Sequence, residues 1–241
     1  QLDQAHELGA EALFWTEHDW RMSAHRYLTD IPLADPKAKD VSWEPHNPDP
    51  ARAGGEHKVV VKGPGGRRAM RLTAQGTGPG RHEHRLRLSV NNYRINTSLH
   101  GQTWSLGVYL EARAGRSQLT LKLGTSRRPE GLGNEAGGYT IAYHFTDGEP
   151  APAEVQGRSA IITVPVPLRK WTTVQLRPSE DLKKTWPGLD ARDASAYSVE
   201  VSALARGDGS VSGYLDRLRI KRGSVAGQAP LTTQKTIMRA Q

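Results

Sequence analysis

The sequence predicts a mainly β protein: a jelly-roll β-sandwich of about ten antiparallel strands, with a short N-terminal α/β segment and a C-terminal helical tail. Between residues 56 and 222, apolar residues recur at every second position in short stretches bounded by Gly, Pro, Asn or Asp. The 25 Gly and 15 Pro among 241 residues suit many short strands joined by turns, whereas a helical bundle would use few of them. A chain of this length buries a sizeable core even with 36% apolar residues.

The alternation is cleanest in residues 85–90 and 215–220, where charged residues interleave with Leu, Val and Ile. Strands with one buried and one hydrated face have this pattern. Residues 179–185 predict a helical turn between strands, with Ser179 as its N-cap. The predicted strands are residues 57–61, 69–73, 83–90, 104–114, 118–123, 139–145, 159–166, 171–176, 197–205 and 213–220.

The first residues have a different pattern. Apolar residues at helical spacing in 2–12 predict a short helix that ends at Gly9. The apolar run 12–16 then predicts a strand buried on both faces, and the polar residues 17–19 follow at its C-terminal end. This order is the half-unit of a β/α barrel, whose active site lies at that end of the strands. Because the chain begins with Gln, we expect a processed or excised piece.

The stretch AHELGAEALFWTEHD resembles the helix, Gly, apolar strand and Thr-Asp-His motif of the polymerase and histidinol phosphatase (PHP) superfamily, metal-dependent phosphoesterases on a distorted β/α barrel. The resemblance covers residues 1–26, with 234–241 as a return into the same domain. It implies that His18 is a metal ligand, and that the intact parent protein holds a divalent metal ion, Zn or Mn. Glu17 stands where the family more often has Asp. A buried α/β hairpin with an exposed His is the structural alternative.

The family's other metal ligands would lie outside the chain, and one ligand cannot hold a catalytic metal. We therefore expect this chain alone to be inactive. The resemblance divides the chain into a partial PHP-like barrel segment (1–33), a linker (34–55), the jelly-roll sandwich (56–223), and a linker returning into the PHP-like domain (224–241). The segment 34–55 is assigned as a linker because several Pro and Gly interrupt it.

The closing strands are similar to those of galactose-binding-like jelly rolls, a fold that carbohydrate-binding modules use. The residues that carry this resemblance are 170–176, 197–201 and 213–220. It implies that Asp216 contributes to a structural calcium site. Ca²⁺ requires six or more oxygen ligands, and the sequence identifies no others, so a solvated Asp at a sheet edge is an equal alternative.

Two further sets of side chains are candidates for binding. His82 and His84 are spaced to share one face of a strand, as half of a metal site or, more simply, as part of a hydrated face. Four aromatic residues at strand positions would either stack on sugar rings or fill the core, and the core interpretation is favoured because the chain has only two Phe. They are Trp104, Tyr109, Tyr139 and Tyr143. The sequence has neither a Gly-x-Ser-x-Gly elbow nor a phosphate-binding loop.

The net charge of +8 comes from arginines spread over separate strands, which is typical of hydrated sheet faces, and no nucleic-acid partner is expected. No run of 18 apolar residues is present, so no membrane span is expected. The absence of Cys excludes disulfides and thiolate metal sites; it suits a secreted or extracytoplasmic bacterial protein, the location we expect, but it suits many cytosolic proteins as well.

Two functions therefore remain open. The first is part of a PHP-like metal-dependent phosphoesterase with a phosphoester substrate, in which the sandwich is an accessory insert. The alternative is a non-catalytic module for carbohydrate binding or adhesion. Fold-level analogy alone does not decide between them.

Overall fold

The computed structural model describes residues 30–34, 41–47, 54–89, 99–125, 138–189 and 194–222. This part of the chain forms an eleven-stranded sheet system and one α-helix, so the predicted mainly β class is confirmed there. The helix α1 is Pro178–Thr185. The strands are β1 Asp30–Ile31, β2 Ser42–Pro45, β3 Gly55–Val60, β4 Ala69–Gln75, β5 Arg81–Ser89, β6 Gln102–Thr125, β7 Thr140–Thr146, β8 Glu154–Gln156, β9 Ser159–Pro165, β10 Thr172–Leu176 and β11 Ala196–Arg222.

The two long strands β6 and β11 organise the molecule. They pair antiparallel from Gln102↔Arg222 to Thr125↔Ala196, with register shifts in the middle. Gly115 and Gly207 lie at these shifts with φ of +62° and +60°, a left-handed conformation that glycine adopts without steric cost. The sequence pattern predicted two separate strands, one before and one after each of these glycines. In the structure each pair is one continuous strand that bends at the glycine.

The bend produces two layers. The first layer contains β3, β4, residues 213–222 of β11, residues 102–110 of β6 and β10, with β1 beside the end of β11. The second layer has the order β2, β5, residues 196–206 of β11, residues 116–125 of β6, β7, β9 and β8. All of these pairs are antiparallel except β7 with β9.

The core lies between the two layers. Leu119 of the second layer packs against Gly213 of the first so closely that a Cβ on Gly213 would lie 2.6 Å from Leu119 Cδ1. The helix α1 adds the buried Leu182 to this core. The hydroxyl of the buried Tyr143 donates to Asp181 Oδ2 at 2.7 Å and joins the helix to β7. Burial and the neighbouring Asp181 raise the pKa of Tyr143 well above its usual value.

Several elements differ from the sequence prediction. The strands β1, β2 and β8 have at most four residues, too few to show a period of two. Within segment 34–55, Trp43 of β2 is buried and donates its Nε1 to Pro32 O at 3.2 Å, and β2 pairs with β5. The predicted N-cap at Ser179 is wrong, because α1 begins after Arg177, whose side chain makes no capping hydrogen bond.

Of the predicted N-terminal segment (1–33) only residues 30–33 are described; they include β1, which pairs with β11, and they bury Ile31 and Leu33 in the core. The rest of that segment and the predicted C-terminal tail (224–241) lie outside the described residues. In the part of the chain that the structure describes, no helix is long and apolar enough to cross a bilayer.

Candidate functional site

The second layer presents a polar outer face. Core residues such as Leu86, Val201 and Leu121 point inward, so the side chains that alternate with them point away from the core. We call this set the polar face. It consists of Glu83, Arg85 and Arg87 of β5, Glu200 and Ser202 of β11, Gln118, Thr120 and Lys122 of β6, and His144 of β7.

Glu200 is the centre of the polar face and is 2% exposed. It lies directly opposite Arg87 on one side and Lys122 on the other. Its Oε1 accepts from Arg87 Nε at 2.9 Å and Nη2 at 2.6 Å. Its Oε2 lies 3.2 Å from Arg85 Nη1 and 3.4 Å from Lys122 Nζ. Three cations therefore surround one buried carboxylate.

Arg85 joins this carboxylate to a second one. Its Nη2 donates to Glu83 Oε2 at 2.7 Å, and the same oxygen accepts from Arg81 Nη2 at 3.0 Å. Burial alone would raise the pKa of both Glu83 and Glu200, but the hydrogen bonds and charges of the arginines outweigh it, and both pKa values lie below the usual range. Both groups are therefore carboxylates at neutral pH.

Two uncharged side chains, Gln118 and His144, lie beside these ions and contact each other. Gln118 Nε2 is 3.2 Å from His144 Nδ1. Burial, together with the charges of Arg81 and Arg206, lowers the pKa of His144 to about 4. Because the imidazole is neutral at pH 7 and its Nδ1 accepts from the amide, Nε2 carries the proton. Leu204, buried but outside the core cluster, lies between Glu83 and Gln118 in the sheet register.

Two buried oxygen atoms on this face have spare hydrogen-bonding capacity. Within the described residues, Thr120 Oγ1 and Glu200 Oε2 have no hydrogen-bond partner. Arg85 and Lys122 are close enough to Glu200 Oε2 to balance its charge. Neither cation points an N–H group at this oxygen with the angles of a hydrogen bond, so the oxygen accepts none. Buried polar atoms in this condition are exceptions in folded proteins, and a bound water molecule is an ordinary way to satisfy them.

The outer face of the first layer carries an aromatic cluster of Tyr109, Trp171 and Tyr214. Ring centroids are 5.5 Å apart for Tyr109 and Trp171, and 5.8 Å apart for Tyr109 and Tyr214. Trp171 donates its Nε1 to Pro64 O at 2.8 Å, and the guanidinium of Arg67 lies 5.1 Å above its ring. Trp171 therefore packs against the turn between β3 and β4, and Arg67 covers one face of its ring.

The other aromatic candidates are mostly structural. Trp104 and Tyr143 are buried in the core, as the core interpretation predicted. Tyr139 is partly buried and meets the ring of Trp186 edge-on at 4.7 Å.

The predicted metal-ligand candidates have separate environments. His18 lies outside the described residues. Asp216 lines an open pocket of about 240 Å³ together with Arg68 and Arg217, two cations. Among the described residues, no three His, Asp or Glu side chains converge as a metal site. The calcium site at Asp216 stays a prediction.

His82 and His84 belong to one strand, β5, but neither lies on the polar face. His84 is buried, and its Nε2 is 2.9 Å from Nδ1 of His57, with the two rings stacked. Burial and the neighbouring His57 lower the pKa of His84. The predicted hydrated histidine face is therefore wrong. Glu83, between the two histidines, is the outward residue.

Comparisons with known proteins give a fold likeness only. No family model and no curated protein matches the chain. The structure is similar to endoglucanase 3 of family GH12 from Trichoderma harzianum, at a TM-score of 0.45 and 10% identity, covering 71% of this chain and 87% of that chain. For the catalytic domain of Humicola grisea Cel12A, the TM-score is 0.47, the identity 9%, and the coverage 76% and 92%.

A family 11 carbohydrate-binding module from Clostridium thermocellum, solved with a β-1,3-1,4-mixed-linked tetrasaccharide, is similar at a TM-score of 0.38 and 12% identity, covering 81% of this chain and 97% of that chain. Likenesses of this size carry no argument about function, which must come from the chain's own residues.

The resemblance to the PHP superfamily is wrong. The structural neighbours are glucanases and carbohydrate-binding modules, and no finding supports a PHP metallophosphoesterase or a phosphoester ligand. The sequence pattern that carried the resemblance consists of apolar residues at helical spacing, an apolar run and three polar residues. Any buried α/β hairpin with a polar end has that order, so the pattern was not specific enough to define the family.

Proposed function

We propose that this jelly-roll sandwich is a non-catalytic carbohydrate-binding module and that the polar face holds the glycan. The observation that carries the proposal is the condition of Glu200, Arg85 and Glu83. These side chains point away from the core and form ion pairs with one another, and the exposed fractions of the side chains alone are 3%, 11% and 9%. A face built in this way presents hydrogen-bonding groups at fixed positions.

Fixed polar groups suit a sugar. Each hydroxyl both donates and accepts, so it pairs with carboxylate oxygens as well as with guanidinium and amide N–H groups. Side chains that are already ordered lose little conformational entropy when the ligand binds.

The same residues argue against glycoside hydrolysis. A glycosidase needs one carboxylic acid with a raised pKa to protonate the leaving oxygen, and a second carboxylate opposite it. Glu83 and Glu200 both have lowered pKa values, and the cation of Arg85 lies between them. Neither carboxylate holds a proton at neutral pH, which favours binding over catalysis.

A glycan-binding panel tests the proposal. Soluble neutral and acidic polysaccharides are titrated into the protein by calorimetry, first with the wild type and then with the double variant Gln118→Ala and His144→Ala. We expect binding to at least one polysaccharide and a loss of tenfold or more in the variant. The matched control is Thr173→Ala with Gln175→Ala, two exposed residues of β10 in the other layer. Failure of the wild type to bind any glycan, or equal losses in both variants, would contradict the proposal.

Binding of extracellular polysaccharide implies a location outside the cytoplasm. This agrees with the extracytoplasmic location expected from the sequence, with which an absence of Cys is compatible.

A further inference from the structure

Three arginines lie side by side at the bend of the second layer. In the sheet register Arg81 of β5 is opposite Arg206 of β11, and Arg206 is opposite Arg116 of β6. We call them the arginine row. Like charges at directly opposed positions of neighbouring strands repel each other and destabilise the sheet. A row of this kind therefore costs folding free energy and calls for a compensating partner.

The folded chain supplies little compensation. Arg81 pairs with Glu83 through a single nitrogen. Arg116 and Arg206 are exposed and have no ion pair or hydrogen-bonded side-chain partner in the described part of the chain. By contrast, Arg113 nearby donates to Ser117 O and to Asp147 Oδ1. Asp208, two residues from Arg206, is exposed and forms no such ion pair either.

The arginine row adjoins the polar face. Alternation along the strands places Arg81, Arg206 and Arg116 on the same side as Glu83, Leu204 and Gln118. Gln118 is two residues from Arg116 on β6 and opposite Leu204, which is two residues from Arg206 on β11. Gln118 Nε2 lies 3.2 Å from His144 Nδ1, so the amide and the imidazole lie beside the guanidiniums on the same face.

We propose that the arginine row, with Gln118 and His144 beside it, is a subsite for the carboxylate or sulfate group of an acidic polysaccharide. The inference rests on the proposed glycan binding and specifies its ligand class. Guanidinium groups bind carboxylate and sulfate oxygens through paired charge-assisted hydrogen bonds. The amide and imidazole would bind hydroxyls of the same sugar, and Leu204 provides a small apolar floor.

A nucleic acid fits these residues less well. Neighbouring strands are about 4.8 Å apart, so the row spans about 10 Å. That is a patch for one or two anionic groups, whereas nucleic-acid affinity grows with the number of phosphates contacted along a backbone. The polar face and the arginine row contain no Phe, Trp or Tyr on which unpaired bases would stack.

The test compares four ligands by calorimetry at fixed ionic strength: a polyuronate, a sulfated glycan, a neutral β-glucan and a short single-stranded DNA. The variant is Arg116→Gln with Arg206→Gln. We expect it to lose tenfold or more in affinity for the polyuronate or the sulfated glycan, and the arm that responds identifies the anionic group. The matched control is Arg219→Gln with Lys221→Gln, which removes two exposed charges from β11 in the other layer. It should change the affinity by less than twofold.

The outcomes separate this inference from the proposed function. Binding of the neutral glucan, with neither acidic glycan bound more tightly or weakened in the arginine variant, would uphold glycan binding and overturn the acidic-ligand subsite. Equal losses in the two variants, or DNA binding as tight as polysaccharide binding, would show nonspecific charge attraction and overturn it as well. Binding of no glycan at all would overturn both. Thermal unfolding of each variant checks that the fold is retained.

Discussion

At the scale of single residues, the stability of the polar face depends on Glu200. Its carboxylate balances Arg87, Arg85 and Lys122 while being 2% exposed. A buried ion cluster adds little net stability when complete, because desolvation offsets the attraction. Removing one member is different, since the remaining charges are then buried without compensation.

We therefore predict that Glu200→Ala lowers the free energy of unfolding by about 3 kcal/mol, the size seen when one partner of a buried pair is removed. Urea denaturation measures it. Glu44→Ala is the control, because Glu44 continues the same cross-strand row opposite Arg87 but is exposed. The control should change stability by less than about 0.5 kcal/mol. Similar effects in both variants would mean that the cluster is not held as the structure describes.

The histidines predict a pH dependence of stability. The pKa of His144 is lowered from 6.5 to about 4 in the folded protein, and that of His84 is also lowered. The unfolded chain takes up protons that the folded protein does not, so stability falls as the pH drops through about 6.5 towards 4. One pKa unit is worth about 1.4 kcal/mol, which gives about 3 kcal/mol for His144 over that range.

The measurement is urea denaturation at pH 7, 5.5 and 4.5, on the wild type and on His144→Asn. The variant should lose a large part of the pH dependence. Glu83 and Glu200 affect stability at a lower pH than the histidines do. Because their pKa values lie below the usual 4.5, the stability that the two carboxylates contribute is lost only as the pH falls below 4.5 and through those values. A wild-type protein whose stability is constant from pH 7 to 4.5 would refute the buried neutral imidazole.

At the scale of elements, the bend of β6 and β11 fixes how closely the two layers approach. A Cβ at position 213 would lie 2.6 Å from Leu119 Cδ1 and 2.6 Å from Tyr109 O. The second of these atoms is backbone and does not yield as a side chain does. We predict that Gly213→Ala destabilises the protein by about 2 kcal/mol or more, as overpacked cores do.

The control is Gly188→Ala, where a new Cβ meets nothing within 4 Å and φ is not positive. Its effect on the midpoint of thermal unfolding should be small. A Gly213→Ala protein as stable as this control would show that the layers do not meet there.

The contact between α1 and β7 gives a further prediction. Tyr143→Phe removes the hydroxyl that donates to Asp181 Oδ2 and leaves that half-buried carboxylate without its partner. Loss of one partner of such a hydrogen bond costs about 1–3 kcal/mol. Chemical denaturation measures this loss. Tyr197→Phe is the control, because Tyr197 is 52% exposed. Equal stability of the two variants would contradict the contact.

The sequence predicted the strands well where the alternation of apolar and polar residues is long. It predicted poorly the features that depend on which strands pair with each other. The period of two correctly located residues 85–89 on β5 and 215–220 on β11 because each strand has one buried face. The alternation pattern did not predict the polar face, because Glu200 and Arg87, which form its central ion pair, are 113 residues apart in the sequence. Which strands become neighbours depends on the bend at Gly115 and Gly207, and local composition does not determine that bend.

At the scale of the whole molecule, the two layers differ in their outer surfaces. The first carries aromatic rings beside the Arg71–Glu111 ion pair, and the second carries the buried carboxylates of Glu83 and Glu200, a neutral imidazole and the arginine row. A mainly β sandwich alone does not indicate a ligand, since the same architecture serves many functions. The buried carboxylates and the arginine row are the features that favour the second layer as the binding surface.

The most direct test of this central claim is a map of the bound glycan. Backbone amide resonances are followed by NMR while an oligosaccharide of the tightest-binding polysaccharide is added. Glycan binding at the polar face predicts the largest shifts in β5, β7, residues 116–122 of β6 and residues 200–206 of β11. Shifts concentrated around Tyr109, Trp171 and Tyr214 in the first layer, or no saturable shifts with any glycan, would contradict it.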